Sequence, residues 1–557
     1  MKLPFANLAL LCVFAVEKIT AKTQRKISFI PAWCIILFSF SSLLQSMTMT
    51  NRFRTRILES SLPFLYGAEI VNSRGIPASD KTAHSLALSQ ALLSDSRIAW
   101  ISITDNPGGG PMLPPDWLTG RLAEHAPRIV VHLTCKDRNR IALEGTAWKY
   151  AAEGLDNILA LTGDLPAGGY PKRSAGVFDI DSVALIDMLT KMNTGLEVST
   201  RRGNIEKLNP TQFFTGCAVS PFKKYENELI PQYVKMLRKI KAGAEWVLPQ
   251  IGYDMRKFNE IKLFLKHYNL DTPVIGNVYV LNKTVAKLFH SGKLAGCVVS
   301  DALLSDIEKY ASGTDKGKKY FQEFAAKQLA VFRGLGFKAG YLGGLDMPEQ
   351  FFEIIEKAET FSPDDWKLFY KEIQYAQTDE FYCFDAEQFH DTKPRKTNNV
   401  NLFYRFSRLV HAVGFQKNRG LYNMIAKIYR LLEKDPAEKH PNPGKQGVLY
   451  KMLHFVEDDV KHTIYGCRDC GDCALPNIAY LCPMGCCSKG MRNGPCGGST
   501  QGRCEADDKD CIWTIAYDRL RYFGEWEQIA DEPVYVHDAS LWGTSAWSNL
   551  YCDRTGG

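Results

Sequence analysis

Short apolar runs alternate with amphipathic stretches between about residues 64 and 361. Eight runs are rich in β-branched and aromatic residues, which favours strands: FLYGAEIV, AWISITD, RIVVHLTC, NILALTGD, FFTGCAVS, WVLPQIGY, PVIGNVYVL and AGYLGGL. Apolar residues at helical spacing predict helices over 80–94, 141–153, 226–242 and 255–267, and an enlarged helical excursion over 301–337. This alternation is typical of a parallel sheet, and eight repeats predict an α/β fold of the closed (β/α)8 TIM-barrel type.

Polar residues follow several of the predicted strands. In such barrels the functional site lies at the carboxyl ends of the strands, so polar side chains there are the first candidates for chemistry. By this rule the candidates are Glu69, Thr104, His132, Asp164 and Gln250.

The strand and helix alternation stops after about residue 362, where a charged, helical stretch begins. Its segments NLFYRFSRLVHAVGF and LYNMIAKIYRLLEK are too apolar to remain solvated, which predicts a packed helical connector instead of a loose tether. We therefore predict four regions: a leader at 1–48, the barrel at 49–361, the connector at 362–445 and a cysteine-rich domain at 446–557.

Nine of the sixteen cysteines lie between Cys467 and Cys511, within that last region. Cysteines at C-x-x-C spacing can converge on a metal or cluster iron, and the glycines and prolines among them supply tight turns. Disulfides are the alternative, but an odd number of cysteines in a large globular chain argues against them. Zinc and an iron–sulfur cluster both remain open. The candidate metal ligands are Cys467, Cys470, Cys473, Cys482, Cys486, Cys487, Cys496, Cys504 and Cys511.

Charge and length narrow the choice of partners. The formal net charge of +7 is modest for 557 residues, and no dense basic tract with interleaved aromatics is present, so nucleic acid is excluded as a partner. Residues 27–46 carry no charge over nearly the span of a bilayer and follow four basic residues, which predicts a membrane anchor if taken literally. The competing interpretation, which we favour, is a dispensable leader or a start at Met47 or Met49, and hence a cytoplasmic protein.

Three segments resemble the methylenetetrahydrofolate reductase family. VHLTCKD (131–137) resembles its third strand, LALTGDLPAGG (159–169) its flavin loop, and KIKAGAEWVLPQIGYD (239–254) the segment that carries a folate-contacting glutamine. The C-terminal run resembles the cysteine-rich domain fused to, or partnered with, some of these reductases. Together the resemblances cover about residues 60–350 and 450–525.

The resemblance implies roles for three residues. Glu69 falls at the general acid that protonates the bridging folate nitrogen, a role for which burial must raise the pKa of the carboxyl group. Asp164 falls at the aspartate beside flavin and pterin, and Gln250 at the amide that reads the pterin edge. Taken singly, the three are as well explained by a loop anchor, a strand-ending turn and a satisfied polar side chain.

The resemblance also implies a flavin, FAD in the family, with FMN as an alternative because Thr162 replaces the arginine usual in bacterial members. The implied flavin-site residues are Thr104, His132, Thr162, Gly163, Asp164, Lys239 and Ala242. Electrons would come from NAD(P)H sharing the barrel site or from an electron-transfer protein acting through the cysteine-rich domain.

The implied activity is flavin-dependent interconversion of 5,10-methylene-tetrahydrofolate and 5-methyl-tetrahydrofolate, with folate as the substrate and a homo-oligomer as one expected assembly. The alternative is a folate-binding subunit of a methyltransferase system, with no flavin and with a structural zinc domain. Flavin content distinguishes the two.

Overall fold

Eight parallel strands form the central sheet of the computed structural model. The structure describes residues 51–59, 61–75, 80–200, 203–390, 394–417, 420–433, 436–439 and 441–555; the predicted leader at 1–48 lies outside them. The strands are β1 (Leu65–Ile70), β2 (Ile98–Ile103), β3 (Ile129–Thr134), β4 (Asn157–Leu161), β7 (Phe214–Val219), β8 (Trp246–Pro249), β9 (Ile275–Tyr279) and β10 (Ala339–Gly343). A separate hairpin is formed by β5 (Glu197–Ser199) and β6 (Ile205–Lys207).

The sheet order is β8-β7-β4-β3-β2-β1-β10-β9, and its two outer strands meet. Val247 pairs in parallel with Val274, and the Val247 amide donates to the Pro273 carbonyl oxygen at 2.9 Å. The Asn277 side chain adds a hydrogen bond to the Pro249 carbonyl oxygen at 3.1 Å. The predicted (β/α)8 barrel is therefore confirmed, with all eight predicted strands present.

Helices cover the outside of the barrel. Asn139, Asp181 and Asp254 begin three of them by accepting hydrogen bonds from backbone amides of the first turn, as N-cap residues do. The predicted excursion over 301–337 consists of two helices. The helices after the first strand are α2 (Asp80–Ser94), α3 (Pro115–Thr119), α4 (Arg140–Ala152), α5 (Ser182–Thr194), α6 (Glu226–Lys241), α7 (Met255–His267), α8 (Lys283–His290), α9 (Asp301–Ala311), α10 (Lys318–Gly334), α11 (Pro348–Glu359) and α12 (Trp366–Glu372).

A short helix, α1 (Arg52–Leu58), precedes the barrel and fills its amino-terminal end. The ring of Phe53 lies 5.1 Å from Trp100 and 5.5 Å from Trp246, centroid to centroid, inside the barrel. Gly67 and Gly216 make room for these indoles, since a Cβ atom on either glycine would come within 2.2 Å of an indole carbon. The interior is therefore packed at this end, and a cavity lies at the carboxyl ends of the strands.

Beyond the barrel, the regular structure consists of helices and one short ribbon, joined by long loops. A two-stranded ribbon of β11 (Phe384–Asp385) and β12 (Gln388–Phe389) precedes a helical layer, and short helices flank the cysteine-rich loops. The helices are α13 (Leu402–Gly414), α14 (Gly420–Leu432), α15 (Val448–Tyr465), α16 (Pro483–Cys486), α17 (Ile512–Phe523) and α18 (Ala546–Tyr551). Among the described residues, no helix has the length and apolarity needed to cross a membrane.

The cysteine-rich region packs directly against the barrel. Helix α17 lies on α6, and Tyr517 donates a hydrogen bond to Glu226 at 2.7 Å. Asp181, the N-cap of α5, also accepts hydrogen bonds from the backbone and side chain of Asn493, both at 3.2 Å. Barrel and C-terminal residues belong to one hydrophobic core, which includes Trp513 and Trp526.

Replacing Phe53 with alanine should lower the free energy of unfolding by about 3–5 kcal/mol, because the ring is 1% exposed and its loss leaves a cavity between two tryptophans. Urea unfolding followed by tryptophan fluorescence measures the change. Leu58→Ala, in the same helix at a position 50% exposed, is the matched control and should change stability by less than about 1 kcal/mol. Equal losses in the two variants would refute the packing role of Phe53.

Candidate active site

A cavity of about 260 Å³ lies at the carboxyl ends of the barrel strands. It brings together eight of the predicted barrel-site residues: Glu69, Thr104, His132, Thr162, Gly163, Asp164, Lys239 and Gln250. Ala242 does not line it; this residue ends α6, and its carbonyl oxygen accepts a hydrogen bond from the Thr190 hydroxyl at 2.9 Å. Glu69 and Asp164 therefore share one cavity, although they follow different strands.

Glu69 sits near the end of β1, where it is half-buried in the cavity wall. Burial raises the pKa of Glu69 from 4.5 to about 7, and a hydrogen bond from Tyr341 opposes the rise. The neighbouring strand leaves room for this carboxyl group, because a Cβ atom on Gly343 would lie 2.5 Å from Glu69 Oε2. Near neutral pH, Glu69 is therefore divided between its protonated and ionised forms.

A hydrogen-bond chain crosses the barrel from Glu69. Tyr341 contacts both Glu69 and the Ser102 hydroxyl, and Ser102 Oγ lies 3.2 Å from His132 Nε2. Burial lowers the pKa of His132 to about 4, although the charge of Asp105 favours protonation. His132 is thus a neutral hydrogen-bonding group at physiological pH, and it is connected to Glu69 through two hydroxyl groups.

Asp164 holds the loop that follows β2. Its Oδ2 atom accepts a hydrogen bond from the Gly108 amide at 2.9 Å, and the Ala167 amide donates to the Gly109 carbonyl oxygen at 3.0 Å. Gly109 has φ +75° and packs so closely that a Cβ atom would lie 1.9 Å from the Leu165 carbonyl oxygen. The glycine-rich segment after β2 is thus fastened to the loop after β4 at the edge of the cavity.

Two polar groups in the cavity wall lack protein partners. Ser220 Oγ and Gln232 Nε2 are buried without a hydrogen-bond partner, whereas most buried polar groups are paired. Gln250 lies close by, with its Oε1 atom accepting from the Ile251 amide at 2.9 Å. Its amide nitrogen would lie 3.2 Å from a Cβ atom on Gly296, so that glycine allows the close approach. This wall suits a ligand that carries both hydrogen-bond donors and acceptors.

Four lysines and four acidic residues line the cavity: Lys136, Lys235, Lys239 and Lys489, and Glu69, Asp105, Asp164 and Glu505. Burial lowers the pKa of Lys239 to about 8, and its Nζ atom donates to the Ala218 carbonyl oxygen at 2.6 Å. Lys136 pairs with Asp137, and Lys235 lies 3.4 Å from Asp181. Thr162 is occupied otherwise, since its hydroxyl donates to Ser182 Oγ at 3.1 Å. Of these lysines, Lys239 is the one whose hydrogen bond in the wall is to a backbone carbonyl and not to a carboxylate.

The C-terminal region closes one side of the cavity. Lys489 donates to the Gly163 carbonyl oxygen at 2.9 Å and pairs with Glu505 at 2.5 Å. Lys223 of the barrel donates in return to the Gly497 carbonyl oxygen at 2.6 Å. Cys496 also lines the cavity, so a thiol of the cysteine-rich region reaches the barrel site.

Comparison with known families accounts for both parts of the chain. A family model described as methylenetetrahydrofolate reductase matches residues 75–359, slightly more than half of the sequence. The chain belongs to this family. A second family model, described as methylene-tetrahydrofolate reductase C terminal, matches residues 448–540. Membership of the methylenetetrahydrofolate reductase family connects the chain with folate-dependent one-carbon chemistry.

Similarity to solved structures is distant. A Clostridium thermocellum protein that binds two copies of 5-methyl-5,6,7,8-tetrahydrofolic acid is 12% identical, with a TM-score of 0.36 over 55% of this chain and 98% of its own. A 2,3-dimethylmalate lyase is 10% identical, with a TM-score of 0.31 over 56% of this chain and 87% of its own. The long-chain alkane monooxygenase LadA is 12% identical, with a TM-score of 0.30 over 56% of this chain and 93% of its own.

Eight thiols of the C-terminal region form two sets. The inner set consists of Cys487, Cys496, Cys504 and Cys511, which surround a narrow cavity of about 20 Å³. Burial raises the pKa of Cys496 to about 12 and that of Cys511 to about 11. Because Cys496 lines this cavity and the barrel cavity, the inner set lies directly behind the candidate active site.

The outer set consists of Cys467, Cys470, Cys473 and Cys482, which interact electrostatically with one another. Cys467 and Cys482 are hydrogen-bonded, which lowers the pKa of Cys482. Helix α15 supplies Lys461, whose charge faces Cys467 and Cys473. The ninth cysteine, Cys486, also borders the inner cavity and donates its thiol to the Tyr465 carbonyl oxygen at 3.4 Å.

All 14 cysteines in the described ranges are free thiols, so the disulfide alternative is wrong there. In the same ranges, no three His, Cys, Asp or Glu side chains stand close enough to hold a metal ion as they are. Four thiols around one space nevertheless form a donor set that suits zinc or an iron–sulfur cluster. Binding at either set requires the thiol side chains to turn toward one another.

Sequence reasoning missed several site residues. Ser102 and Tyr341 lie inside strands and gave no signal, because an isolated serine or tyrosine in a strand is ordinary. Lys489 lies 326 residues beyond Gly163, whose carbonyl oxygen it contacts, and Glu505 pairs with Lys489. The alternation of inward and outward positions along β2 and β10 is the only sequence signal that could have identified the first pair.

Glu69→Gln should change how stability depends on pH. In the folded chain the pKa of Glu69 is about 7, above its ordinary 4.5, so the wild-type protein loses stability as pH rises through this interval. The glutamine variant lacks this loss. The difference in free energy of unfolding between variant and wild type should therefore move in favour of the variant by about 2–3 kcal/mol from pH 5 to pH 8. Urea unfolding at both pH values measures it, with the exposed Glu349→Gln as control. An equal effect of Glu69→Gln at both pH values would contradict burial of the carboxyl group.

Proposed function

We propose that the chain is a flavin-dependent oxidoreductase that interconverts 5,10-methylene-tetrahydrofolate and 5-methyl-tetrahydrofolate. The observation that carries the proposal is the shared cavity of Glu69, Asp164 and Gln250 at the mouth of a barrel of the methylenetetrahydrofolate reductase family. Family membership supplies the chemistry, and the cavity supplies the residue types that it requires.

Glu69 is the proposed general acid. A pKa of about 7 lets the carboxyl group hold a proton at neutral pH and release it to the bridging nitrogen of the folate, which opens the five-membered ring. Tyr341, Ser102 and His132 position the carboxyl group, and the neutral His132 does not compete for the proton. Asp164 provides a negative charge beside the cationic iminium that ring opening leaves.

Gln250 is the proposed folate reader. Its amide offers a donor and an acceptor to the pterin edge, and Ser220 Oγ and Gln232 Nε2 are available for the same ligand. These three groups lie in one wall, so they can orient a flat ring without moving the backbone. Orientation of this kind contributes to rate by presenting the reacting carbon at a defined angle.

A flavin fits the residue types of the cavity, and when bound it would supply or accept the hydride. Thr104, His132, Gly163 and Lys239 are the proposed contacts, with Lys239 as the cation for a phosphate or a ring oxygen. At about 260 Å³, however, the cavity is smaller than most sites for cofactors and has room for about one fused ring system. Binding of flavin and folate together therefore requires a shift of the C-terminal segment around Lys489, which closes one side of the cavity.

The size of the cavity favours a second candidate, a folate-binding subunit without flavin that serves a methyltransferase system. In that case the thiol sets would hold structural zinc. Absorbance of the anaerobically purified protein separates the two: a flavin spectrum supports the reductase, and a colourless protein that contains zinc supports the binding subunit.

For the reductase, Glu69→Gln should lower kcat by about a hundredfold or more, since the general acid is removed while the ring contacts remain. Stopped-flow measurement of flavin reoxidation by 5,10-methylene-tetrahydrofolate follows the step, and equilibrium dialysis checks that flavin and folate stay bound. Glu349→Gln should leave kcat unchanged. Full activity of Glu69→Gln would remove this carboxyl group from the mechanism.

The two thiol sets are proposed to hold separate metal centres, either zinc or iron–sulfur. Cys496→Ser should lower the metal content of the inner set, and Cys470→Ser that of the outer set, each by about half of the total because each removes one of four thiolate ligands. Iron, zinc and acid-labile sulfide are measured on anaerobically purified protein. Cys552→Ser is the control, because this thiol belongs to neither set. Unchanged content in both test variants would refute metal binding by these cysteines.

A further inference from the structure

A second large cavity lies where the barrel, the connector and the C-terminal region meet. Its volume is about 860 Å³, within the range of small-molecule sites. The barrel contributes residues 224–227 at the start of α6, the connector contributes residues 395–398, and α17 supplies the C-terminal wall. No residue that lines it also lines the barrel cavity, so the two cavities are separate.

The buried part of this junction cavity is a network of paired charges. Glu226 forms an ion pair with Arg521 of α17 and accepts a hydrogen bond from the Tyr517 hydroxyl at 2.7 Å. Asp518 accepts hydrogen bonds from two side-chain amides, one from the barrel and one from the connector. Both acids in this part of the wall are therefore already engaged with donors of the protein.

Two polar atoms in the same part of the wall have no partner in the described structure. They are the acceptor Asn227 Oδ1 and the donor Arg521 Nε, both buried. Most buried polar groups are paired, so these two indicate a ligand that brings a donor and an acceptor of its own. The edge of a nucleobase carries both kinds of group.

The exposed part of the junction cavity is cationic. Lys224, Arg395, Lys396 and Arg405 line it, and none of the four forms an ion pair with another described residue. Asp379 is the one exposed acid among the lining residues. Helix α6 also begins here without a side-chain cap, so its positive end faces the same region. Several cations and one acid suit a ligand with more than one negative charge, such as a diphosphate.

Aromatic rings lie beside these cations. Tyr225 lines the cavity and is 42% exposed, with Lys224 Nζ 5.7 Å from the centroid of its ring. Tyr522 also lines the cavity, and the Arg405 guanidinium lies 5.4 Å from its ring centroid. An accessible ring next to unpaired cations suits a ligand in which a flat base is joined to phosphates.

We propose that the junction cavity binds a nucleoside diphosphate group, with its phosphates among Lys224, Arg395 and Lys396 and its base against Tyr225. This inference is independent of the proposed reductase function, because it uses no residue of the barrel site. The occupant would contact the first turn of α6, the helix that carries Gln232, Lys235 and Lys239 to the wall of the barrel cavity.

Isothermal titration calorimetry of the full chain with ADP tests the phosphate contacts. The double variant Arg395→Glu, Lys396→Glu should raise Kd by about tenfold or more, because two attractive charges become repulsive. Lys367→Glu, Lys371→Glu, at exposed positions of α12, makes the same change in net charge and should leave Kd unchanged. The proposal is overturned if ADP does not bind below about 1 mM, or binds the first double variant as tightly as wild type.

Variants of Tyr225 test recognition of the base. Tyr225→Ala should raise Kd for ADP by about tenfold, since stacking on the ring is lost, whereas Tyr225→Phe keeps the ring and should bind as wild type does. Pyrophosphate has no base and should bind all three proteins equally, and more weakly than ADP binds wild type. Pyrophosphate binding as tight as that of ADP would reduce the cavity to a simple anion site and overturn the proposal.

Titration of NADH into the ADP complex identifies the source of the group, since NADH contains an adenosine diphosphate moiety. Displacement of ADP assigns the cavity to a dinucleotide, and failure to displace it assigns the cavity to a free nucleotide. Either result supports a site for a nucleoside diphosphate group.

Discussion

The burial of cationic side chains at the mouth of the barrel constrains the rest of this structure. Lys223, Lys235 and Lys489 are each at least nine-tenths buried, and each has a hydrogen-bond partner across the boundary between barrel and C-terminal region. A buried ammonium group without such partners costs several kcal/mol. The cysteine-rich region therefore cannot leave the barrel without exposing these groups to water or leaving their charges unpaired.

This constraint connects the barrel cavity, which holds the candidate acid, with the thiols of the cysteine-rich region. The same contacts that neutralise the lysines bring Cys496 to the wall of the barrel cavity and hold the inner thiol set behind it. From the barrel, Glu69 contributes a half-buried carboxyl group with a raised pKa, in a space that Gly343 leaves free. An acid suited to neutral pH and a set of thiols thus face one small cavity from two separate parts of the chain.

Prediction from sequence succeeded for features that depend only on the local pattern of apolar residues and on the order of the strands. The eight strands, the ends of α2 and α7 and the meeting of Glu69, His132 and Asp164 follow from alternation of apolar residues and from the geometry of parallel barrels. Ala242 shows the limit, because the face that a residue near a helix end presents depends on how that helix rotates against the sheet. The hydrogen-bond chain through Tyr341 and Ser102 could not be predicted, because it joins side chains on strands far apart in sequence.

The amino-acid sequence by itself determined the barrel class, the clustering of cysteines and the candidate acid, because periodicity and residue type are local properties. Only the tertiary structure decided that the nine cysteines divide into two sets and a single thiol, that lysines from both regions are buried at one boundary, and that α13, α14 and α15 leave large apolar side chains exposed. These features depend on contacts between residues hundreds of positions apart, and such contacts exist only once the chain has packed.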